Sequence, residues 1–273
     1  MLDLQTKLAT ENDCFNYLMQ IRWNGKPQCV YCNHNKVCTV KDGDFKCSKC
    51  NKRFTIKTNT IFQGSKLSLQ KWLMAIYFVT NDKKGVSSIQ LADNIGVTQK
   101  TAWSMLQKLK YLLVNVEKSK GELNGTTEID EAYIGGKEGN MHKNKKVNAE
   151  KENLLPKINI HNARGSMIVT DTLQAYNDLK GNYNHKTVKH SAGEYVRVEK
   201  DGFKTHTNSI EGFWSLVKRT INGTHHWVSK KHINKYLAEM SFRYSNKSLS
   251  VAERFEAICL SSNLNITYKQ IIA

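Results

Sequence analysis

Proline is nearly absent, two in 273 residues, and the sixteen glycines are scattered rather than periodic, which excludes collagen-like and linker-like chains. No apolar run approaches the ~18–20 residues of a membrane-crossing helix. The amino terminus, Met1-Leu2-Asp3-Leu4-Gln5, lacks the basic-then-apolar layout of a secretion signal, so a cytoplasmic protein is expected. No internal repeat recurs at periods of about 20–50 residues. Acidic residues are scarce: 24 Asp+Glu face 41 Lys+Arg, a net charge of +17, of which +11 falls on residues 1–120 and +6 on residues 121–273. Apolar residues make up 40%, too many for a disordered chain. The length leaves room for one large domain or two to three small ones. A folded chain this basic is expected to meet a polyanion, and nucleic acid is the usual one.

Seven cysteines, an odd number, argue against a disulfide framework. Four of them form Cys29-Val-Tyr-Cys32 and Cys47-Ser-Lys-Cys50, separated by fourteen residues. Each C-x-x-C turn aims two thiolates at one ion, and two such turns complete a closed tetrahedral zinc site. Val37 to Val40 and Asp42 to Lys46 read as two short strands between them, which makes a zinc ribbon. A redox C-x-x-C would come singly, near a βαβ unit. Cys14, Cys38 and Cys259 have no ligand spacing and are expected to be buried free thiols.

Leu67 to Phe78 has the apolar density of a buried helix, with Ser68 as its cap. Ser87 or Ser88 then caps a short helix through Ile95, Gly96 supplies a turn, and Thr98 caps a longer helix carrying Ala102, Met105, Leu106, Leu109 and Leu112. Short helix, glycine turn and capped long helix form the helix-turn-helix pattern, although an ordinary αα-hairpin has the same signature. In that geometry Gln99, Lys100 and Ser104 would face base edges while Lys108 and Lys110 would suit phosphates. Trp103 is expected in the core.

The second half carries acids where a buried strand ends. Gly125 to Gly136 reads as a strand on which Glu128, Asp130 and Ala132 share a face. Ser166 to Thr170 is a mostly apolar strand that closes on Asp171, and an acid at such a tip needs a charged neighbour. A third strand is expected near Lys186 to His190. From His206 a helix begins whose positions 208, 211, 215 and 218 share one face, so Asn208, Glu211 and Lys218 look the same way. Two strand-borne aspartates and a helix-borne carboxylate can clamp two hard cations about 3.5–4 Å apart for attack on a phosphate. His185, His190, His206, His225 and His226 cluster around these segments and read as structural histidines, while Phe213 and Trp214 read as packing for the helix.

These features together resemble bacterial insertion-sequence transposases of the zinc-ribbon DDE type, the fifteen-ninety-five group with an ISXO-two-like catalytic domain. The resemblance spans nearly the whole chain. It rests on the paired C-x-x-C, on Asp130-Glu131-Ala132-Tyr133-Ile134-Gly135-Gly136-Lys137, on Val169-Thr170-Asp171, on His206 to Trp214 running into Lys218-Arg219, and on Tyr236 to Tyr244. It implies an RNase H-like fold, two catalytic Mg²⁺ ions (Mn²⁺ as substitute) beside a structural zinc, and cleavage and strand transfer on double-stranded DNA in the bacterial nucleoid. A homo-oligomer that joins two element ends is implied too. By matching position Asp130 is the first ligand and Asp171 the second. Asn208 or Glu211 is the third; the carboxylate is the better magnesium ligand.

The expected fold class is therefore multi-domain α+β. A zinc-ribbon segment covers residues 1–65, a helix-turn-helix domain 66–118, an RNase H-like α/β catalytic domain 119–225, and C-terminal helices 226–273, which would close the catalytic domain or pair subunits. One departure from the pattern matters. Only 40 residues separate Asp130 from Asp171, and residues 137–153 contain just three apolar side chains, Met141, Val147 and Ala149. Such a stretch cannot build a hairpin with one buried face. The domain is expected to be shortened there and to lack its second and third strands, leaving the first strand as a sheet edge. The alternative function is then a catalytically impaired remnant that only binds DNA.

Overall fold

A computed structural model describes residues 7–40, 43–119, 125–130, 132, 134, 166–172, 176 and 183–272. They divide into two compact units, one made of Met1–Glu117 with Asn234–Ala273, the other of Lys118–Ile233. No helix among the described residues is long and apolar enough to cross a membrane.

The first unit begins with a helix that the sequence analysis did not anticipate, α1 (Glu11–Trp23). Its cause is local: Thr10 Oγ1 accepts from the Asp13 amide at 3.1 Å, and the Asp13 carboxylate accepts from the Thr10 amide at 3.0 Å, a reciprocal capping box. A three-stranded antiparallel sheet follows: β1 (Val37–Thr39), β2 (Phe45–Cys47) and β3 (Arg53–Phe54). Phe45 and Phe54 are buried in it, and Trp23 of α1 meets both rings edge-on at 5.7 and 6.1 Å. Cys38 is exposed, contrary to the expected burial. On β1 it alternates with Val37, which packs inward, so the strand's period of two turns Cys38 outward.

Helix α2 (Leu69–Asn81) starts at Ser68, as expected, with Ser68 Oγ accepting from the Lys71 amide. A second cap comes from α1: the Glu11 carboxylate accepts from the Leu69 and Gln70 amides at 2.7 and 3.1 Å. Helix α3 (Ser88–Ile95) is capped by Ser87 and ends at Gly96, whose φ of +62° is left-handed. Helix α4 (Gln99–Ser119) follows, with Thr98 Oγ1 accepting from the Thr101 amide, and it buries Ala102, Met105, Leu106, Leu109, Leu112 and Leu113. Trp103 packs against the same core.

The second unit is built on a parallel sheet ordered β4 (Thr126–Ile129), β5 (Met167–Thr170), β6 (Asn184–Thr187). The third strand thus lies three residues before its expected end. An antiparallel hairpin, β7 (Val196–Val198) and β8 (Lys204–His206), had no counterpart in the sequence reading. Helix α5 (Asn208–Thr220) follows and runs into a wide turn at Ile221–His225. The expected shortening at 137–153, and with it the missing pair of strands, lies outside the described residues. Among the described residues β4 pairs with β5 alone.

The chain then returns to the first unit as α6 (Ile233–Ser245), α7 (Val251–Ser261) and α8 (Tyr268–Ile272). Phe242, Phe255 and Ile258 join the core that holds Leu73, Ile76 and Leu109. Helix α6 also brings charge inside. Glu239 is buried with the Lys110 ammonium 2.9 Å away and the Arg243 guanidinium hydrogen-bonded to its other side. This corrects the expected role of Lys110 as a phosphate contact: its side chain is 1% exposed and belongs to an internal ion cluster. Burial pushes its pKa down while Glu239 opposes that.

Candidate functional site

In the first unit, the two C-x-x-C turns bring Cys29, Cys32, Cys47 and Cys50 together with all four sulfurs within 4.8 Å of one another. The Cys29–Cys50 and Cys32–Cys47 sulfurs are both 3.6 Å apart. A tetrahedral zinc with Zn–S near 2.3 Å needs sulfur–sulfur edges of about 3.8 Å, so the donor set fits a structural zinc ion. Backbone amides of Cys50 and Lys49 aimed at the Cys47 sulfur hold that thiol down to about 6, favouring the thiolate a metal requires.

The residues expected to touch DNA divide. Gln99 and Lys100 are exposed at the start of α4, where Gln99 donates to Ser88 Oγ at 2.8 Å; Ser104 is half-buried. Lys108 is half-buried, its ammonium donating to the Ile61 carbonyl at 3.2 Å and lying 5.8 Å from the Trp72 ring centre. Desolvation lowers its pKa. Lys108 is therefore engaged inward, like Lys110.

In the second unit the sheet places Asp130 and Asp171 at one end. Among the described residues, however, only the four cysteines form a group of ligand atoms close enough to share a metal ion; Asp130, Asp171 and Glu211 do not. Strands β4 and β5 run parallel with Ile129 opposite Thr170, so Asp130 and Asp171 follow at the same end of neighbouring strands. Adjacent strands lie about 4.8 Å apart. A cleft of about 370 Å³ is lined by Asp130 together with Glu211, Trp214, Ser215, Lys218 and Arg219 of α5. Glu211, Ser215 and Lys218 sit one turn or nearly one turn apart, on the shared face that the spacing predicted. Trp214, on the same helix, is buried. Asn208 is exposed at the first residue of α5.

Helix α5 is held to β4 by a residue to which the sequence reading gave no role. The Glu128 carboxylate accepts from the Ser209 and Ile210 amides, both at 2.9 Å, and lies 3.4 Å from His206 Nδ1. Thr207, at the cap position, makes no side-chain cap bond of its own. Glu128 thus satisfies the helix's first amides and meets the positive end of its dipole. Because Glu128 and Asp130 stand two residues apart on one strand face, this bond sets the distance between Asp130 and the helix bearing Glu211. The signal available in the sequence was that shared face.

Two histidines fix the acids' surroundings. Thr207 Oγ1 donates to Glu211 Oε1 at 3.1 Å and lies 3.1 Å from His190 Nε2. With its single proton given to Glu211, that hydroxyl accepts from His190, so His190 carries its proton on Nε2. Likewise Thr170 Oγ1 donates to the Asp171 carbonyl at 2.6 Å and accepts from His185 Nε2 at 2.9 Å. The carbonyl bond pins the backbone of Asp171.

Two stretches of the chain match known family models. Residues 9–53 match the family model described as the transposase zinc-ribbon domain of the IS1595 type, and residues 146–245 match the ISXO2-like transposase domain. The chain is thus similar, over these two stretches, to the two domains of IS1595-type transposases. The second match contains Asp171, Asn208, Glu211 and Lys218 and begins after Asp130. A relative from Halobacterium salinarum, named "Uncharacterized protein in transposable element ISH50", is 25% identical over 288 positions, covering 89% of this chain and 93% of the relative. Since 89% of the chain is about 243 residues, about 45 of those positions face gaps in this chain. No solved structure matches.

Proposed function

We propose that this transposase-family protein binds the ends of its insertion sequence and catalyses DNA cleavage and strand transfer through an RNase H-like site. The observation that supports the reading is the placement of Asp130 and Asp171 at one end of paired parallel strands, with Asp130, Glu211 and Lys218 around one cleft. Ligands of α/β sheets bind beyond the carboxyl ends of the strands, where these acids stand. Drawn together on a bound ion, Asp130, Asp171 and Glu211 would supply an all-oxygen donor set suited to Mg²⁺. Magnesium held there would lower the pKa of an attacking water or 3′-hydroxyl and stabilise the leaving oxygen. The protein's own part is positional. Glu128 clasps α5 so that Glu211 faces Asp130, the Thr207 hydroxyl orients Glu211, and Lys218 and Arg219 offer cations to the phosphates of the bound strand. Glu211 is favoured over Asn208 as third ligand because it lines the cleft with Asp130.

For the DNA-reading module, helix α3, the Gly96 turn and α4 support a helix-turn-helix, with Gln99, Lys100 and Ser104 as base-reading residues. Several copies acting on two ends would make the working form an oligomer.

The second reading, a remnant that binds DNA without cutting it, is favoured by the short interval of 40 residues between Asp130 and Asp171. Incubating the full chain with the terminal sequences of its element and Mg²⁺ separates the two. Nicking by the wild type that falls at least about a thousandfold in Asp130→Asn, Asp171→Asn and Glu211→Gln supports the enzyme. Retention of end binding with no cutting by the wild type supports the remnant.

A further inference from the structure

Beyond the cleft, the chain carries a second feature that the acids do not explain. Between Glu211 and Glu239 there is no acidic residue, and residues 212–232 hold Lys218, Arg219, Lys230 and Lys231 with three histidines. All four cations are exposed. In their midst Trp227 is 72% exposed, more than any other large apolar side chain among the described residues. It follows His226, whose φ of +59° is left-handed and unusual for a residue with a side chain. That backbone breaks the helical path after Ile221–His225, and the Trp227 amide turns back to the His225 carbonyl at 2.6 Å. A tryptophan left in water, directly after a residue in the left-handed region and three and four residues before the exposed Lys230 and Lys231, is costly to the folded chain alone.

We infer that Trp227 is a stacking platform for an unpaired nucleobase, with Lys230 and Lys231 holding the adjoining phosphates. This deepens the transposase reading and rests on it for the identity of the polymer. An indole face stacks on any base whose own face is open, so it selects frayed or single-stranded DNA, not intact duplex. The exposed cations nearby in sequence, in a stretch without acids, favour a polyanion over an apolar protein surface. Trp227 continues from the helix whose Lys218 and Arg219 line the cleft, on the same unit and a short way along the chain. A base held open there would belong to DNA whose backbone runs toward that cleft.

The test uses the full chain without added divalent cation, so that no cutting enters the measurement. Fluorescence anisotropy with a labelled mixed-sequence 20-nucleotide single strand, and with the same strand as a blunt duplex, is read for wild type, Trp227→Ala, Trp227→Phe and Lys230→Ala/Lys231→Ala. The expected result is a loss of about tenfold or more in single-strand affinity for Trp227→Ala, with duplex affinity within about twofold of wild type. Trp227→Phe keeps most of the single-strand affinity, and the double lysine variant weakens both probes and flattens the salt dependence. Circular dichroism and a melt confirm that each variant folds. Unchanged single-strand binding by Trp227→Ala overturns the inference, as does no single-strand binding by the wild type. Equal loss on both probes also overturns it, since that marks a general DNA contact. A shift in solution mass with no change in DNA binding overturns it in favour of a contact between copies. Absence of Mg²⁺-dependent cutting beside an intact Trp227 effect rejects the catalytic reading alone.

Discussion

The unit built from the two chain ends buries mainly aliphatic and aromatic side chains, such as Leu18, Trp72, Leu73, Ile76, Leu109 and Phe255. In the sheet-bearing unit the buried positions among the described residues include Thr170, Thr205 and Thr207 beside Ile168, Val169, Val188, Trp214 and Val217. The first unit is held by area removed from water, with one ion cluster sealed inside it. The second relies on directed bonds, of which Glu128 to the α5 amides and Thr207 to Glu211 are the clearest. Apolar packing tolerates small displacements, whereas directed bonds fix a carboxylate to within fractions of an ångström. Under the proposed function, a unit that aims acids at a phosphate would gain from the second design.

The largest effect expected lies in the first unit's ion cluster. Glu239→Ala leaves Lys110 and Arg243 as buried cations without their shared anion, and should cost about 3–5 kcal/mol. Lys110→Met should cost clearly less, because Arg243 continues to neutralise Glu239. Calorimetry on the full chain reads both, and equal costs for the two variants would show that the cluster is not organised around Glu239.

Zinc removal comes next. A strong chelator should loosen β1–β3 and the Trp23–Phe45–Phe54 contacts, seen as a change in tryptophan emission and new proteolysis between residues 29 and 54. Returned zinc should restore both. Helices α2 and α4, whose buried core shares only the bordering Phe15, Met19 and Trp23 of α1 with the ribbon's own cluster, should keep their far-ultraviolet signal. Loss of that signal with the metal would mean that the ribbon holds the helices together.

In the second unit, Glu128→Gln keeps the shape of the clasp but removes the charge facing the helix dipole, and should cost about 1 kcal/mol in stability. Its effect on strand cutting should be larger than that figure implies, through a lower kcat and not a higher KM, because Glu211 would sit less firmly against Asp130. Cutting at the wild-type rate would show that the sheet alone positions the helix.

How much of this was legible in the sequence follows the same division. Where one spacing rule fixed the geometry, as for Cys29, Cys32, Cys47 and Cys50, or the caps Ser68 and Ser87 and the stripe along α4, the elements stand where the pattern put them. The shared face of Glu211 and Lys218 was equally readable. What escaped was decided between distant segments. Lys110 looks like a surface cation until α6, more than a hundred residues later, places Glu239 against it. Glu128 looks like an ordinary strand residue until α5 presents two unbonded amides. Helix α1 was missed although its Thr10–Asp13 box is local, because Asp replaces the commoner Glu or Gln at that position.

The smallest effect concerns the β7–β8 hairpin, where polar bonding again stands in for a core. Val196 and Val198 face outward, while Glu199 accepts from Thr205 Oγ1 at 2.8 Å and from Arg197 Nε at 3.1 Å. Those hydrogen bonds, first Thr205 and then Arg197, hold the Glu199 pKa below its ordinary value. A carboxylate whose folded pKa is depressed contributes stability that is fully present above the unfolded value, near 4.5, and is lost as pH falls through the lower folded value. The hairpin should therefore open in acid, with amide exchange at Arg197 and Thr205, a hydrogen-bonded pair of the ladder, accelerating below about pH 4. Glu199→Gln, which keeps an acceptor but does not titrate, should remove that dependence. Exchange that accelerates equally in both proteins would mean that the strand pairing, not the Glu199 clasp, is what acid disrupts.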